Sequence, residues 1–210
     1  MSTTITTRTT LRSADVTDLP TPEHLRASAA LWSLRASLST LSDREAAEDK
    51  AIADERVAAA DPLKSPVWGG RQALGGHSDP TTDALLQLTG PVRENRFTPL
   101  LEEVTGQLAN VAQHLPPAGV TSLVRIVAAL PQLSKPAAFS TWQLADRIDS
   151  RIRRLLSLPG DRQYVPRVKC PWCDAVSLVM RLEPPQPDRV VECTTCTGAW
   201  LWADVAGARP

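Results

Sequence analysis

The sequence is poor in most of the side chains that carry catalysis. It has three histidines, one tyrosine, two phenylalanines and two methionines in 210 residues. His24, His77 and His114 are scattered and form no ligand cluster. The motifs Gly-x-Ser-x-Gly and His-Glu-x-x-His are missing, as is any Asp-rich metal loop, which argues against the common hydrolase and metalloprotease sites. Gly69-Gly70 and Gly75-Gly76 are followed by no Gly-Lys-Ser/Thr and preceded by no apolar strand, which excludes a phosphate-binding loop. Apolar runs are far too short to span a bilayer. No charge of one sign dominates: 23 Lys+Arg face 23 Asp+Glu, and the pI is about 6.8. That balance suits neither a nucleic-acid coat nor a membrane-surface binder. No apolar h-region follows Met1, so a cytoplasmic protein is expected.

What is abundant is alanine, arginine and, for this size, tryptophan. Arg outnumbers Lys by 19 to 4, and Trp occurs six times. The bias reads as GC-rich codon usage and carries no chemistry by itself.

The chain divides into five stretches. Residues 1–19 are Thr-rich without apolar periodicity and are expected to be a disordered tail. Residues 20–60 are helical, opened by Thr21 as N-cap with Pro22 behind it. Leu31, Leu34, Leu38 and Leu41 make one stripe, and Ser42-Asp43 is expected to cap a second, solvated helix running to about Ala60. Residues 61–80, with three X-Pro and two Gly-Gly steps, read as a linker. Residues 81–160 form a helical domain. A short helix there carries Leu85, Leu86 and Leu88. Another starts at Thr98-Pro99, with Leu101, Val104, Leu108, Val111 and Leu115 on one face and Glu102 and Glu103 in its first turn. Thr121 caps a third. Ser140-x-x-Gln143 is a capping box for the last, whose stripe is Leu144, Ile148, Ile152, Leu155 and Leu156.

The fifth stretch, residues 164–205, carries the strongest motif. Cys170-Pro171-Trp172-Cys173 and Cys193-Thr194-Thr195-Cys196 are two CxxC pairs with 19 residues between them. Two residues between ligands let one tight turn aim both sulfurs at a single ion, and the spacing matches four-cysteine zinc sites. The intervening chain reads as a β-hairpin. Val176, Leu178, Met180 and Leu182 alternate with Ser177, Val179, Arg181 and Glu183, so the first set is expected inside and Arg181 outside. A last strand is expected to hold Trp200, Leu201 and Trp202. Four thiolates leave a tetrahedral ion no open position, which makes the site structural and zinc the expected cofactor. Iron takes the same ligands and stays open. A thiol-redox pair needs only one CxxC and a βαβ setting that is missing here.

Two weaker groups remain. Arg147, Arg151 and Arg154 share one side of the last helix and could contact phosphates; a solvated face with internal pairs such as Asp149 with Arg153 explains them as well. Trp172 and Trp200 are candidates for contact with a partner protein or with bases. The ribbon from residue 164 has five Arg/Lys and five Asp/Glu, and a zinc tetrathiolate would add two negative charges. That disfavours it as a nucleic-acid surface.

The helix with an Arg-rich face, the following Pro159-Gly160-Asp161-Arg162-Gln163-Tyr164 and the four cysteines together resemble a group of uncharacterised proteins of actinobacteria and their phages. Those proteins have a helical N-terminal region and a zinc ribbon. The resemblance covers roughly the last 110 residues. Members often continue into a helix-turn-helix segment, which implies DNA-associated work; Cys196 to Pro210 offers no room for one. The fold expected is therefore a mainly α N-terminal region plus a small β zinc ribbon at the C-terminus. The function expected is that of a non-catalytic adaptor or regulatory protein contacting another protein, with a nucleic-acid-binding accessory factor as the alternative.

Overall fold

The computed structural model describes residues 20–60, 93–117, 119–183 and 189–207. Helix α1 spans Pro22–Ala60, α2 Thr98–Ala112, α3 Ser122–Ala129 and α4 Lys135–Leu156, with a 3-10 turn at Leu130–Gln132. Four short strands follow: β1 Arg162–Tyr164, β2 Leu178–Arg181, β3 Val190–Cys193 and β4 Ala199–Leu201, and then a last helical turn, α5, Trp202–Gly207. The sheet is antiparallel throughout in the order β1-β2-β3-β4. The protein is thus mainly helical with a small β unit at the C-terminal end, as the sequence predicts. The expected tail, the expected linker at 61–80, the expected helix with Leu85, Leu86 and Leu88, His77 and residues 184–188 within the expected hairpin lie outside the described residues. No described helix is long and apolar enough to cross a membrane.

Helix α1 runs unbroken for 39 residues, where the sequence suggests a break at Ser42-Asp43. Ser and Asp in a helix interior cost only about 0.5 kcal/mol each relative to alanine. The Ala-, Glu- and Arg-rich sequence beyond them contains no Pro or Gly to stop the ladder. Thr21 holds the cap position. Its carbonyl accepts from the Leu25 amide at 3.0 Å, and its hydroxyl bonds His24 Nδ1 at 2.8 Å. His24 Nε2 lies 2.9 Å from the Leu133 carbonyl, so in the neutral ring it carries the proton and Nδ1 accepts from Thr21. His24 thereby ties the start of α1 to the loop before α4.

The helical core lies between α1 and α4, with α2 and α3 closing it. Leu31, Leu34 and Leu41 of α1 meet Ile148 and Ile152 of α4, and Leu100, Val104, Leu108 and Ile126 pack beside them. Ala27, Ala30, Ala138 and Ala145 are also buried there and keep side-chain bulk out of the seam. Helix α4 starts at Lys135, with Pro136 in its first turn, and not at Ser140. Proline at that position is pre-set for the helix, so the earlier start wins over the capping box. In its stripe Ile148 and Ile152 are buried, Leu144 and Leu156 are half-buried, and Leu155 is exposed. Helix α2 buries Leu100, Val104, Leu108 and Ala112, while Leu101, Val111 and Leu115 are half-buried. Because α2 begins at Thr98, Glu102 and Glu103 fall past its first turn. Thr121 caps α3 as expected, accepting from the Val124 amide.

Both faces of the sheet are covered. Leu178, Val191, Cys193 and Trp200 face a small core with Val165, Cys170 and Val205. The opposite face brings Val190, Ala199 and Leu201 against Ala29 and Leu25 of α1. Leu178 and Met180 keep the expected inward side of β2, but the docking buries the side expected to face solvent. Val176 and Leu182 are exposed, and Arg181 is 1% exposed. A strand in a sheet covered on both sides has no solvent face to give its polar positions. Trp202 leaves the last strand and opens α5.

Candidate metal centre

The two CxxC segments form the same turn twice. In the first, the Cys170 amide donates to the Ala175 carbonyl at 2.9 Å and the Asp174 amide to the Cys170 carbonyl at 3.0 Å. In the second, the Cys193 amide donates to Gly198 at 2.9 Å and the Thr197 amide to Cys193 at 3.1 Å. Each turn also points one amide at its first sulfur: Trp172 N–H at Cys170 Sγ and Thr195 N–H at Cys193 Sγ, both at 3.4 Å. Asp174 and Thr197 occupy equivalent places with left-handed φ of 59° and 58°. For β-branched Thr197 that conformation is unfavourable, and the surrounding hydrogen bonds must hold it.

One turn lies between β1 and β2 and the other between β3 and β4, so both sit at the same end of the sheet. The sulfurs of Cys170, Cys173, Cys193 and Cys196 all come within 4.8 Å of one another. Cys170 and Cys196 are 3.5 Å apart, and Cys173 and Cys193 are 3.7 Å apart, with no disulfide. A tetrahedral ion with metal–sulfur bonds of about 2.3 Å needs sulfurs about 3.8 Å apart. The cluster is within a few tenths of an ångström of that at two edges, so the four cysteines can hold a metal ion.

The site is asymmetric toward solvent. Cys170 and Cys193 are buried, Cys173 is exposed and Cys196 is half-buried. Ser177 Oγ lies 3.2 Å from Cys193 Sγ and 2.8 Å from Thr195 Oγ1. Burial works against the Cys193 thiolate, but the Ser177 hydroxyl and the Cys196 and Thr195 backbone outweigh it and bring the thiol down to about 6. The Ala175 backbone favours the Cys173 thiolate, but desolvation and the three neighbouring sulfurs push that thiol up to about 12. One sulfur ionises readily and the next resists. Four sulfurs this close ionise together only around a cation, which is the chemistry of a soft-metal site.

Trp172 and Trp200 stand beside the site, edge to face with centroids 5.1 Å apart and an interplanar angle of 81°. Trp172 is 62% exposed. Gly198 is required here: a Cβ would fall 2.1 Å from Trp200 Cη2 and 3.0 Å from Trp172 Cε3.

The arginines are not brought to this centre. Arg147 and Arg151 border a shallow hollow between α2 and α4 that also contains Glu103 and Gln107. Glu103 accepts from Arg151, and this pairing lowers the pKa of the carboxyl and raises that of the guanidinium. Arg154 is exposed and bonds the Ser150 carbonyl. Arg153 does pair with Asp149, at 2.9 Å and largely buried.

The sequence reading missed one group altogether. Arg181 donates to Glu192 of β3 at 2.9 Å, to Asp161 at 2.7 Å and to Asp146 of α4 at 2.6 Å. A signal existed. In a β2–β3 hairpin Arg181 and Glu192 stand diagonally on one face, where opposite charges attract. Asp161 lies in the Pro159–Tyr164 segment after α4, but its partner could not be read locally. Comparison with family models, with curated proteins and with solved structures finds no match to this chain.

Proposed function

We propose that the protein is a non-catalytic zinc-ribbon adaptor or regulatory module that acts by contact with another protein. Zinc is the ion proposed for the four sulfurs, since it accepts an all-thiolate tetrahedron and needs no redox partner. With four protein ligands the ion has no position left for water, so its part is to hold the two CxxC turns together. The observation that carries the reading is Trp172. A large ring braced edge-on by Trp200 is kept 62% exposed within the first CxxC turn. Such a side chain loses little freedom on binding and suits a central anchor in a partner's apolar pocket.

A nucleic-acid accessory role through Arg147, Arg151 and Arg154 is the weaker reading, because Glu103 already engages Arg151. The test uses the full-length, zinc-loaded protein as bait beside Trp172→Ala. The expected result is one metal ion per chain in both by native mass spectrometry, with a protein partner retained by the first and weakened about tenfold or more in the second. Salt-sensitive binding to duplex DNA that Trp172→Ala leaves intact and Arg147→Ala/Arg151→Ala/Arg154→Ala abolishes would overturn it in favour of nucleic acid.

A further inference from the structure

Arg181 is the largest fully buried side chain among the described residues. Its three carboxylate partners come from three places: Asp146 from α4, Asp161 from the segment after α4, and Glu192 from β3. Asp146 also receives Arg162 of β1. A second buried group lies close by. Ser33 of α1 donates to Asp149 at 2.8 Å, and Arg153 reaches Asp149, Ser33 and the Pro159 carbonyl. The two groups meet on α4, where Asp146 and Asp149 stand about one turn apart, and Arg153 also reaches the Pro159 carbonyl two residues before Asp161. Charged groups therefore lead by way of α4 from β3 to the α1–α4 seam.

The near end of this run is the metal centre. Glu192 precedes Cys193 in β3, and neighbouring strand residues point to opposite faces. Cys193 faces the sulfur cluster, and Glu192 faces Arg181. The two flanking positions, Val190 and the paired Ala199, cover Ala29 of α1. Displacement of β3 acts on both the ion pairs and the apolar cover.

From this continuity we infer that the Arg181 cluster makes the packing of α1 on α4 depend on whether the sulfur site is filled. The inference rests on the metal reading above. With an ion in place, β3 is held at Cys193, Glu192 stays on Arg181, and the sheet remains seated over Leu25 and Ala29. Without it the two CxxC turns, each with a left-handed residue, lose their common tether. Arg181 then loses a partner while still buried, and the sheet loosens from α1. The ribbon thus serves as a metal-dependent clasp on the helical layer, at the end of α1 opposite its exposed half.

Segment-resolved hydrogen exchange on the full-length protein tests this, with metal stoichiometry read by native mass spectrometry on the same samples. Zinc-saturated and chelated protein are compared, beside Arg181→Met and the milder Glu192→Gln. On chelation the wild type is expected to lose protection about tenfold or more in β2–β4, around Ala29–Ser37 of α1 and around Asp146–Ile152 of α4, while Val104–Leu108 of α2 changes little. In the variants, still binding one zinc, the α1 and α4 response should shrink severalfold while the ribbon response remains. If Arg181→Met does not fold, Glu192→Gln carries the comparison: it removes the negative charge that pairs with Arg181 while leaving the guanidinium a neutral acceptor, so the fold is kept and the tie is weakened. Loss confined to the ribbon in the wild type overturns the inference, and so does equal loss in α2, which is global unfolding. A protein that takes up no zinc at saturation fails first at the metal reading, by stoichiometry alone.

Discussion

The helical layer and the ribbon are held together by different means. The helices bury a continuous apolar cluster that draws on α1, α2, α3 and α4, and they need no ligand to justify it. The ribbon closes over a much smaller cluster, two of whose six buried members are cysteines. Units of this size seldom fold on apolar burial alone. The lesson is that small cores are completed by chemistry. Here that means four sulfurs at one end and a charged cluster on the face that meets the helices.

The largest test of that contrast is removal of a ligand. Cys193→Ser should abolish the proposed metal binding, since it removes a buried sulfur of the four-cysteine cluster. Structural zinc in small peptides carries about 10–16 kcal/mol of apparent binding energy, which is also folding energy. The expected result is loss of metal in native mass spectrometry and loss of strand protection from about residue 165, while helical circular dichroism largely persists. Circular dichroism falling to the unfolded value would mean that the helical layer has no stability of its own.

Arg181→Met tests the joint between the two regions. It leaves Asp146, Asp161 and Glu192 without their shared cation. Breaking a buried pair on one side typically costs about 3–5 kcal/mol. Urea denaturation of the zinc-loaded protein should show that loss; a change within about 0.5 kcal/mol would mean the cluster is solvated and not load-sharing.

Leu34→Ala probes the helical side alone. Leu34 is fully buried in the α1 seam, and such truncations cost about 2–5 kcal/mol depending on how far the site collapses. Zinc stoichiometry should stay at one. Loss of metal in this variant would show coupling running from helix to ribbon as well.

The smallest effect is expected from acid. Burial opposes the charged form of Asp161, but Arg181, Ser33 and Arg153 prevail and hold the carboxyl below its ordinary range. A depressed carboxylate contributes stability that is fully present above the unfolded value, about 3.9, and is lost as pH falls through the folded one. Asp161→Asn should therefore flatten the stability curve of the zinc-loaded protein at the acid end, below about pH 4. An unchanged slope there would assign the acid loss to other groups. Metal release is followed in parallel, since protonation of the thiolates also weakens the site.

Parts of this organisation were legible because they depend on near neighbours in sequence. The CxxC spacing brings two sulfurs onto each turn whatever surrounds them. Thr121 caps α3 through a bond three residues long. Other parts were misread for a physical reason. Ser42-Asp43 and Ser140-x-x-Gln143 have the composition of helix starts, yet each lies inside a helix whose ladder nothing interrupts. β1 went unassigned because a three-residue edge strand has no periodicity to detect. The outward assignment of Arg181 assumed a solvent face that the docked helices remove.

The sequence by itself determined the candidate ligand set, the two-turn design of the four-cysteine cluster and the division into helices followed by a small sheet, since each follows from spacing and local propensity. Only the tertiary structure decided which sulfurs face solvent, which tryptophans are left uncovered and which charges are buried. Burial is a property of what packs opposite a residue. For Arg181, that meant Asp146, 35 positions earlier in the chain, brought within reach when the sheet settled against α1 and α4.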